Sequence, residues 1–373
     1  MIRKQISGQQ FTGILVWKRM QKRALPLYPF LLQTYRGFIA LSRKELHQKG
    51  NRSDWNPTLP FKTEISQMAV MRLLTIISII LTTFVLQAQQ VADSLFNPVI
   101  ISPQYSLGKG SVIFLDEGHH NFHTTTGRFK PFVDFLQRDG YVLKGISDSF
   151  TSDNLKAARI LVIANALNEK TQSEWTLPTP SAFTDFEITT LKTWVKQGGS
   201  LFLIADHMPF AGASEKLAAA FGFKFYNGFA MNKNPLPGTT DIFTLENGLS
   251  ENVITRGRNQ NDKITTVQSF TGQAFEIPSS AFPLIILDDR FDLLLPQTAW
   301  NFTENSTSIP ARNLAQGAYM SYGKGRLVVF GEAAMFSAQI QRDSIRMGMN
   351  AKTAFQNPQF LLHVIHWLDH PLD

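Results

Sequence analysis

From residue 111 onward, apolar and polar positions fall into blocks, and the clearest is LKTWVKQGGSLFLIADHMPFAG, residues 191–212. Phe186, Leu191, Trp194 and Val195 recur at helical spacing, and Thr184 stands three residues before Glu187 as a capping box requires. Gly198 and Gly199 supply a left-handed stop, so the spacing predicts a helix from Thr184 to the glycines. Residues Ser200 to Ala205 are apolar without polar alternation, the pattern of a strand covered on both faces in a parallel sheet. Asp206, His207 and Met208 follow at once. Ligands of open α/β sheets lie outside the carboxyl ends of strands, which makes this turn the first place to expect chemistry.

The same reading places strands at Ser111 to Leu115, Tyr141 to Ile146 and Arg159 to Ala164, and helices at Phe132 to Arg138 and Ala213 to Phe221. Alternating strands and helices predict an α/β domain over 111–373. Between residues 224 and 283 the pattern loosens into short extended pieces, read as an insertion of β hairpins with ITTVQSFTGQAFEI its most strand-like part. Residues Leu284 to Leu287 form another buried run. Residues 317–330 read as two strands around a GKG turn, and Asn357 with Pro358 opens a last helix ending near Asp369.

Charge divides the chain. The formal net charge is +7, yet residues 1–88 hold 13 Lys plus Arg against 3 Asp plus Glu, while the remainder holds 23 against 26. The body therefore offers no electrostatic case for nucleic acid. Within the basic segment, residues 68–88 carry Arg72, an apolar core and Ala88, which fits a signal peptide and an exported, periplasmic protein. On that reading translation starts at Met71 or Met68 and residues 1–67 are upstream sequence. Uncleaved, the same segment is a membrane anchor behind a basic tail, the one route to a membrane in this chain. Residues 89–110, with Pro98 and Pro103, read as a linker. Cysteine is absent, which excludes disulfides, thiolate metal sites and a cysteine nucleophile.

Candidate chemistry collects at predicted strand ends. The first end carries Asp116, Glu117, His119, His120, Asn121 and His123, the second Asp206 and His207, the third Glu332, and a weaker fourth Asp288 and Asp289. Four of the eight histidines lie at such ends. Imidazoles beside carboxylates suit general acid/base work, and a divalent metal is a candidate cofactor, although HHNFH lacks the spacing of a helical zinc pair. The competing reading is that these groups cap helices and bond loop backbone. His363 and His366 are expected to pack against the sheet, Ser214 lacks a nucleophile elbow, and Arg256 and Arg258 are read as exposed charges.

The order helix, GGSLFLIAD, polar turn, alanine-rich helix resembles the class I glutamine amidotransferase-like superfamily, in its non-glutaminase ThuA-like branch; DEGHHNFH, ADHMPF and NPQFLLHVIHWLD add to that likeness. The resemblance implies a flavodoxin-like three-layer α/β/α sandwich with a mainly parallel sheet, here carrying a β-rich insertion. It implies a cysteine at the elbow where this chain has Asp206 and His207, so thioester release of ammonia from glutamine is ruled out. Two readings stay open. In one, an exported hydrolase acts on a small polar or carbohydrate substrate. His207 or His120 is then the base, Asp206 and Glu332 orient it or hold a metal, and His119, Asn121, His123 and Glu117 contact substrate. In the other, the same pocket binds a sugar or glycan without turnover, as a module of a bacterial envelope system. Phe122, Trp175 and Phe210 would stack on a sugar in either case. Acids and histidines within mutual hydrogen-bond reach favour the enzyme; groups each bonded to backbone favour the binder.

Overall fold

The computed structural model describes residues 90–234, 241–341 and 344–369, all within one unit spanning Gln87–Asp373. The expectations for residues 1–67 and 68–88 lie outside the described residues. Strand β1 is Gln90–Ala92 and β2 Val112–Asp116, followed by helix α1 (Lys130–Arg138), β3 (Val142–Ile146), α2 (Ser152–Leu155) and β4 (Ile160–Ala164). Next come α3 (Asp185–Lys196), β5 (Ser200–Ile204), α4 (Phe210–Ala220), β6 (Lys224–Phe225), β7 (Phe229–Asn232), β8 (Ile242–Thr244) and α5 (Val253–Arg256). The chain continues through β9 (Thr266–Gln268), β10 (Phe275–Glu276), β11 (Phe282–Ile286), β12 (Phe291–Leu295), β13 (Thr307–Pro310), β14 (Ala315–Tyr322) and β15 (Gly325–Phe330). It closes with β16 (Ala338–Gln341), β17 (Ile345–Gly348) and α6 (Asn357–Asp369).

The central sheet has the order β3-β2-β4-β5-β15-β14-β10-β6, with β11 also on β14. Strands β3, β2, β4, β5 and β15 are parallel, and β14 returns antiparallel through the predicted GKG turn. Side chains along these strands split by alternation. Ile113, Leu115, Ile160, Val162, Phe202, Ile204, Val328 and Phe330 face one core with α1 and α6. Leu161, Ile163, Leu201, Leu203, Leu327 and Val329 face the other with α2, α3 and α4. Both faces are covered, which is why the strands read as continuous apolar runs. This is a flavodoxin-like three-layer α/β/α sandwich.

Helix α3 follows its sequence signals closely. Thr184 is the N-cap, its Oγ1 accepting from the Glu187 amide at 3.2 Å while the Glu187 carboxylate accepts from the Thr184 amide at 3.0 Å. Gly198 just beyond the helix has φ +125°, a conformation closed to most side chains.

Three expectations are corrected. The 224–283 insertion is not a set of hairpins: β6 and β10 extend the far edge of the main sheet, β7 joins β12, and only β8 and β9 form a sheet of their own. Strands of two to four residues take their partners from tertiary context, which local pattern does not carry. The linker begins in a strand, since β1 pairs with β16. Helix α4 starts at Phe210, three residues before the predicted Ala213.

Candidate functional site

The register of the parallel strands sets four polar residues along one edge. Phe330 pairs with Ile204, and Ala164 with Ile204, so Glu332, Asp206 and Asn165 leave three adjacent strands side by side. Asp116 ends β2, the next strand outward. Neighbouring strands lie about 4.7–4.9 Å apart, so Asp206 adjoins Glu332, while Asp116 is two strands away. Strand order reverses between β2 and β4, the switch point at which open α/β sheets form ligand crevices.

The first group is a buried knot. The His119 Nδ1 donates to Asp116 Oδ1 and Oδ2 at 2.9 and 3.0 Å, and its Nε2 donates to Glu187 Oε1 at 3.1 Å. Phe150 and Phe183 enclose the ring, with centroids 4.8 and 4.7 Å away. Burial alone would push this imidazole down, but the two carboxylates outweigh it and hold the pKa above its ordinary value. Asn121 donates to Asp116 Oδ2 at 2.9 Å and accepts from the His119 amide. Both ring nitrogens of His119 are thus committed to protein carboxylates, and Asn121 to the same knot. This geometry holds the loop rather than presenting groups to a substrate. Glu187 entered the sequence reading only as a capping residue, because nothing local shows that its other oxygen reaches a histidine 68 positions earlier.

The remaining loop residues disperse. Glu117 Oε1 accepts from the Thr125 amide and hydroxyl at 2.6 and 2.7 Å, fastening its own loop. His120 is exposed at φ +46°. His123 is 3% exposed and packs tilted against Phe129, with centroids 4.5 Å apart and no partner for either ring nitrogen among the described residues. Burial, with the nearby Arg128 charge, lowers its pKa to about 3. Asp288 and Asp289 pair with Arg290 and Arg312, Arg256 with Glu251, and Arg258 with Asp262. In α6, the His363 Nδ1 donates to the Ile254 carbonyl at 2.9 Å and His366 pairs with Asp139 at 2.6 Å; both histidines are buried.

The second group stands at the ends of β5 and β15. Asp206 Oδ1 accepts from the His207 amide at 2.7 Å, and Asn165 Oδ1 receives the Asp206 amide at 2.9 Å. Asn165 also accepts from Phe122 N through its own carbonyl, so this residue, missed in the sequence, stitches the two groups together. Its φ of +54° is one an asparagine tolerates. Glu332 accepts from the amides of Ala334 and Met335 at 2.6 and 2.8 Å. Burial first, then the Asp206 carboxylate, hold Glu332 well above the usual carboxylate range. Beside it Gly272, at φ +108°, backs onto the Gly331 carbonyl where a Cβ would come within 2.2 Å.

A raised carboxyl pKa means that the folded protein holds its proton more tightly than the unfolded chain, so stability falls as pH rises above the ordinary glutamate value. Asp206→Asn removes the repelling charge and should flatten that decline. Melting temperatures of the wild type and variant across about pH 4 to 9 test this; parallel curves would refute it.

The His207 Nδ1 donates to the Met208 carbonyl at 2.7 Å, and its Nε2 has no partner among the described residues. The ring lies parallel to Phe229 at 4.6 Å and meets the Trp300 edge at 4.7 Å, with Phe210 and Trp175 at 5.8 and 6.4 Å. Phe122 continues this aromatic group through Phe210 and Trp175 at 5.3 and 6.0 Å. Trp175 and Trp300 come from two loops tied together where Ala299 N donates to the Trp175 carbonyl and Leu177 N to the Gln297 carbonyl. Trp300 is 44% exposed at φ +65°. Beside it lies a small cavity of about 120 Å³ lined by Leu295, Gln297, Thr298, Asn301 and Thr303. Trp300 and Phe229 lay outside the sequence reading because they come from the insertion and the loop beyond it. Among the described residues, five non-glycines have positive φ, and four of them, His120, Asn165, Thr271 and Trp300, rim this edge. Such strain gathers where a surrounding structure enforces it, commonly at ligand sites.

No group of three histidines or carboxylates among the described residues is placed to hold a metal ion. Asp206 and His207 are joined only through a backbone amide, and Glu332 is held by backbone.

No protein-family model matches the chain, and no curated protein matches it. Solved structures similar to it include the mmIFT52 N-terminal domain, at 16% identity over 69% of this chain and 97% of that one, with a TM-score of 0.49. A protein described as ThuA-like, from Bacteroides uniformis ATCC 8492, is 11% identical over 73% of this chain and 94% of its own, with a TM-score of 0.38. The cytoplasmic protein STM3548 from Salmonella typhimurium is 11% identical over 69% and 98%, with a TM-score of 0.40. At such identities and scores these likenesses leave function open, and the sheet order itself defines the fold.

Proposed function

We propose that this chain is an exported saccharide-binding protein, built on a cysteine-less amidotransferase-like sandwich, whose ligand lies against the aromatic group around His207. One observation carries the reading: an imidazole with Nδ1 fixed on a backbone carbonyl and Nε2 unpartnered, set among Phe229, Trp300, Phe210 and Trp175. Aromatic faces stack on the apolar face of a sugar ring, and an unpartnered ring nitrogen accepts from a hydroxyl. The carboxylates nearby bond backbone instead of the histidine, which favours binding over turnover.

A hydrolase acting on the same ligand draws support from the Asp206 and Glu332 pair, where one raised carboxyl could serve as an acid. Titrating the protein with a panel of oligosaccharides, following tryptophan fluorescence and then chromatographing the ligand, separates the two. Saturable change with the ligand recovered intact is expected. Cleaved products would move the assignment to the hydrolase, and a panel that alters neither fluorescence nor melting temperature would refute both.

A further inference from the structure

We infer that the saccharide is acidic, and that its carboxylate or phosphate group is received by Arg128 and His123 at the start of α1. This inference rests on the binding reading above and narrows its ligand. Arg128 has no carboxylate partner among the described residues, and its Nε is buried without a hydrogen bond. Its guanidinium lies 3.8 Å over the Phe122 ring, and its polar bond is a long one, 3.5 Å, from Nη1 to the Phe122 carbonyl. A partly buried cation with no counter-charge is costly, and an oxyanion removes that cost. His123 is 3% exposed, feels this charge, and leaves both ring nitrogens without a hydrogen bond among the described residues, so an anion drawn to Arg128 would give its imidazole N–H a partner.

Helix α1 adds to the positive field. It begins one residue after Arg128 at the N-cap Phe129, without a side-chain cap and without an acidic residue in its first turn; the Lys130 amide is taken by the Gly127 carbonyl and Pro131 has none, so the helix contributes its dipole rather than free amides. The loop leaves β2 at the switch point of the sheet. Phe122 connects the two halves: Arg128 covers its face, while its ring contacts Trp175 and Phe210 of the group around His207. A sugar stacked on those rings places an acidic substituent toward Arg128.

Calorimetric titration of the full chain with glucuronate, glucose 6-phosphate, glucose and inorganic phosphate tests the assignment. At least one acidic sugar should bind about ten-fold more tightly than glucose, since charge-assisted bonds are roughly twice as strong as neutral ones. Arg128→Gln should erase that difference, and Arg128→Lys should keep part of it. Which acidic sugar binds identifies the anion as carboxylate or phosphate. Equal affinity for acidic and neutral sugars, or a preference that survives Arg128→Gln, overturns the inference. The two readings fail separately. Inorganic phosphate bound by the wild type and lost in Arg128→Gln, with no sugar bound, keeps the anion site and removes the saccharide. Glucose bound without acidic preference does the reverse. If Arg128→Gln does not fold, His123→Phe, which keeps a ring against Phe129, should lower the acidic preference in the same titration.

Discussion

Glu187→Gln is expected to destabilise the fold by about 3–5 kcal/mol, because it removes one of the two negative charges that compensate the buried His119 imidazolium. For a unit of this size that is a fall in melting temperature on the order of 10 °C. Loss of the cap alone is a smaller matter. Thr184→Ala deletes the N-cap hydroxyl and should cost only about 1 kcal/mol, so calorimetry of the two variants separates the cap from the ion pair. Similar losses would mean that Glu187 acts through the helix end and not through His119.

The pH dependence follows from the two shifts. His119 is raised above its ordinary 6.5, so its contribution is complete below that value and fades as pH climbs through the raised one. For Glu187, burial pushes the carboxyl up, but the Thr184 bonds and His119 outweigh it and lower the pKa below 4.5. Its contribution is complete above 4.5 and fades as pH falls through the lowered value. The His119–Glu187 pair therefore stabilises most between 4.5 and 6.5. Glu187→Gln should remove the advantage of that window, as the difference between the two stability profiles against pH.

The second large effect belongs to ligand binding. Trp300→Ala is expected to weaken saccharide affinity by about 2 kcal/mol, roughly thirty-fold, as loss of a central aromatic contact does. Folding should suffer less, by about 1 kcal/mol, because Trp300 is 44% exposed and its contacts lie at the rim of the core. His207→Ala should match the affinity loss, since the ring supplies both a stacking face and Nε2. Unchanged affinity in both variants, with the fold intact, would place the ligand elsewhere.

The layers of this protein were legible because each carries a local signal. Thr184, Glu187 and Gly198 mark the ends of α3 by chemistry that acts within four residues, and Leu201 to Ile204 declares a strand buried on both faces. The strand ends were legible for the same reason, since they follow from where apolar runs stop. The roles of the residues found there were not. His119 and His207 look alike in sequence, yet one is locked between Asp116 and Glu187 while the other leaves Nε2 unpartnered. That difference depends on which distant side chain arrives, and spacing holds no record of it. Asn165 and Trp300 were missed because their importance lies in distant partners, the Asp206 and Phe122 amides for one and the His207 and Phe229 rings for the other, which local spacing does not announce.

The pairing of β1 with β16 also constrains the order of assembly. Gln90 finds its hydrogen-bonded neighbour in Gln341, and Ala92 in Gln339, almost at the other end of the domain. A ribosome must release nearly the whole chain before that ladder can form, whereas β2, β3 and β4 meet partners made shortly before or after them. Contacts of long sequence separation carry the largest loop-closure cost and form late. The first strand of the domain is thus among the last to settle, and until β16 emerges it remains an open edge for whatever protein is present to receive it.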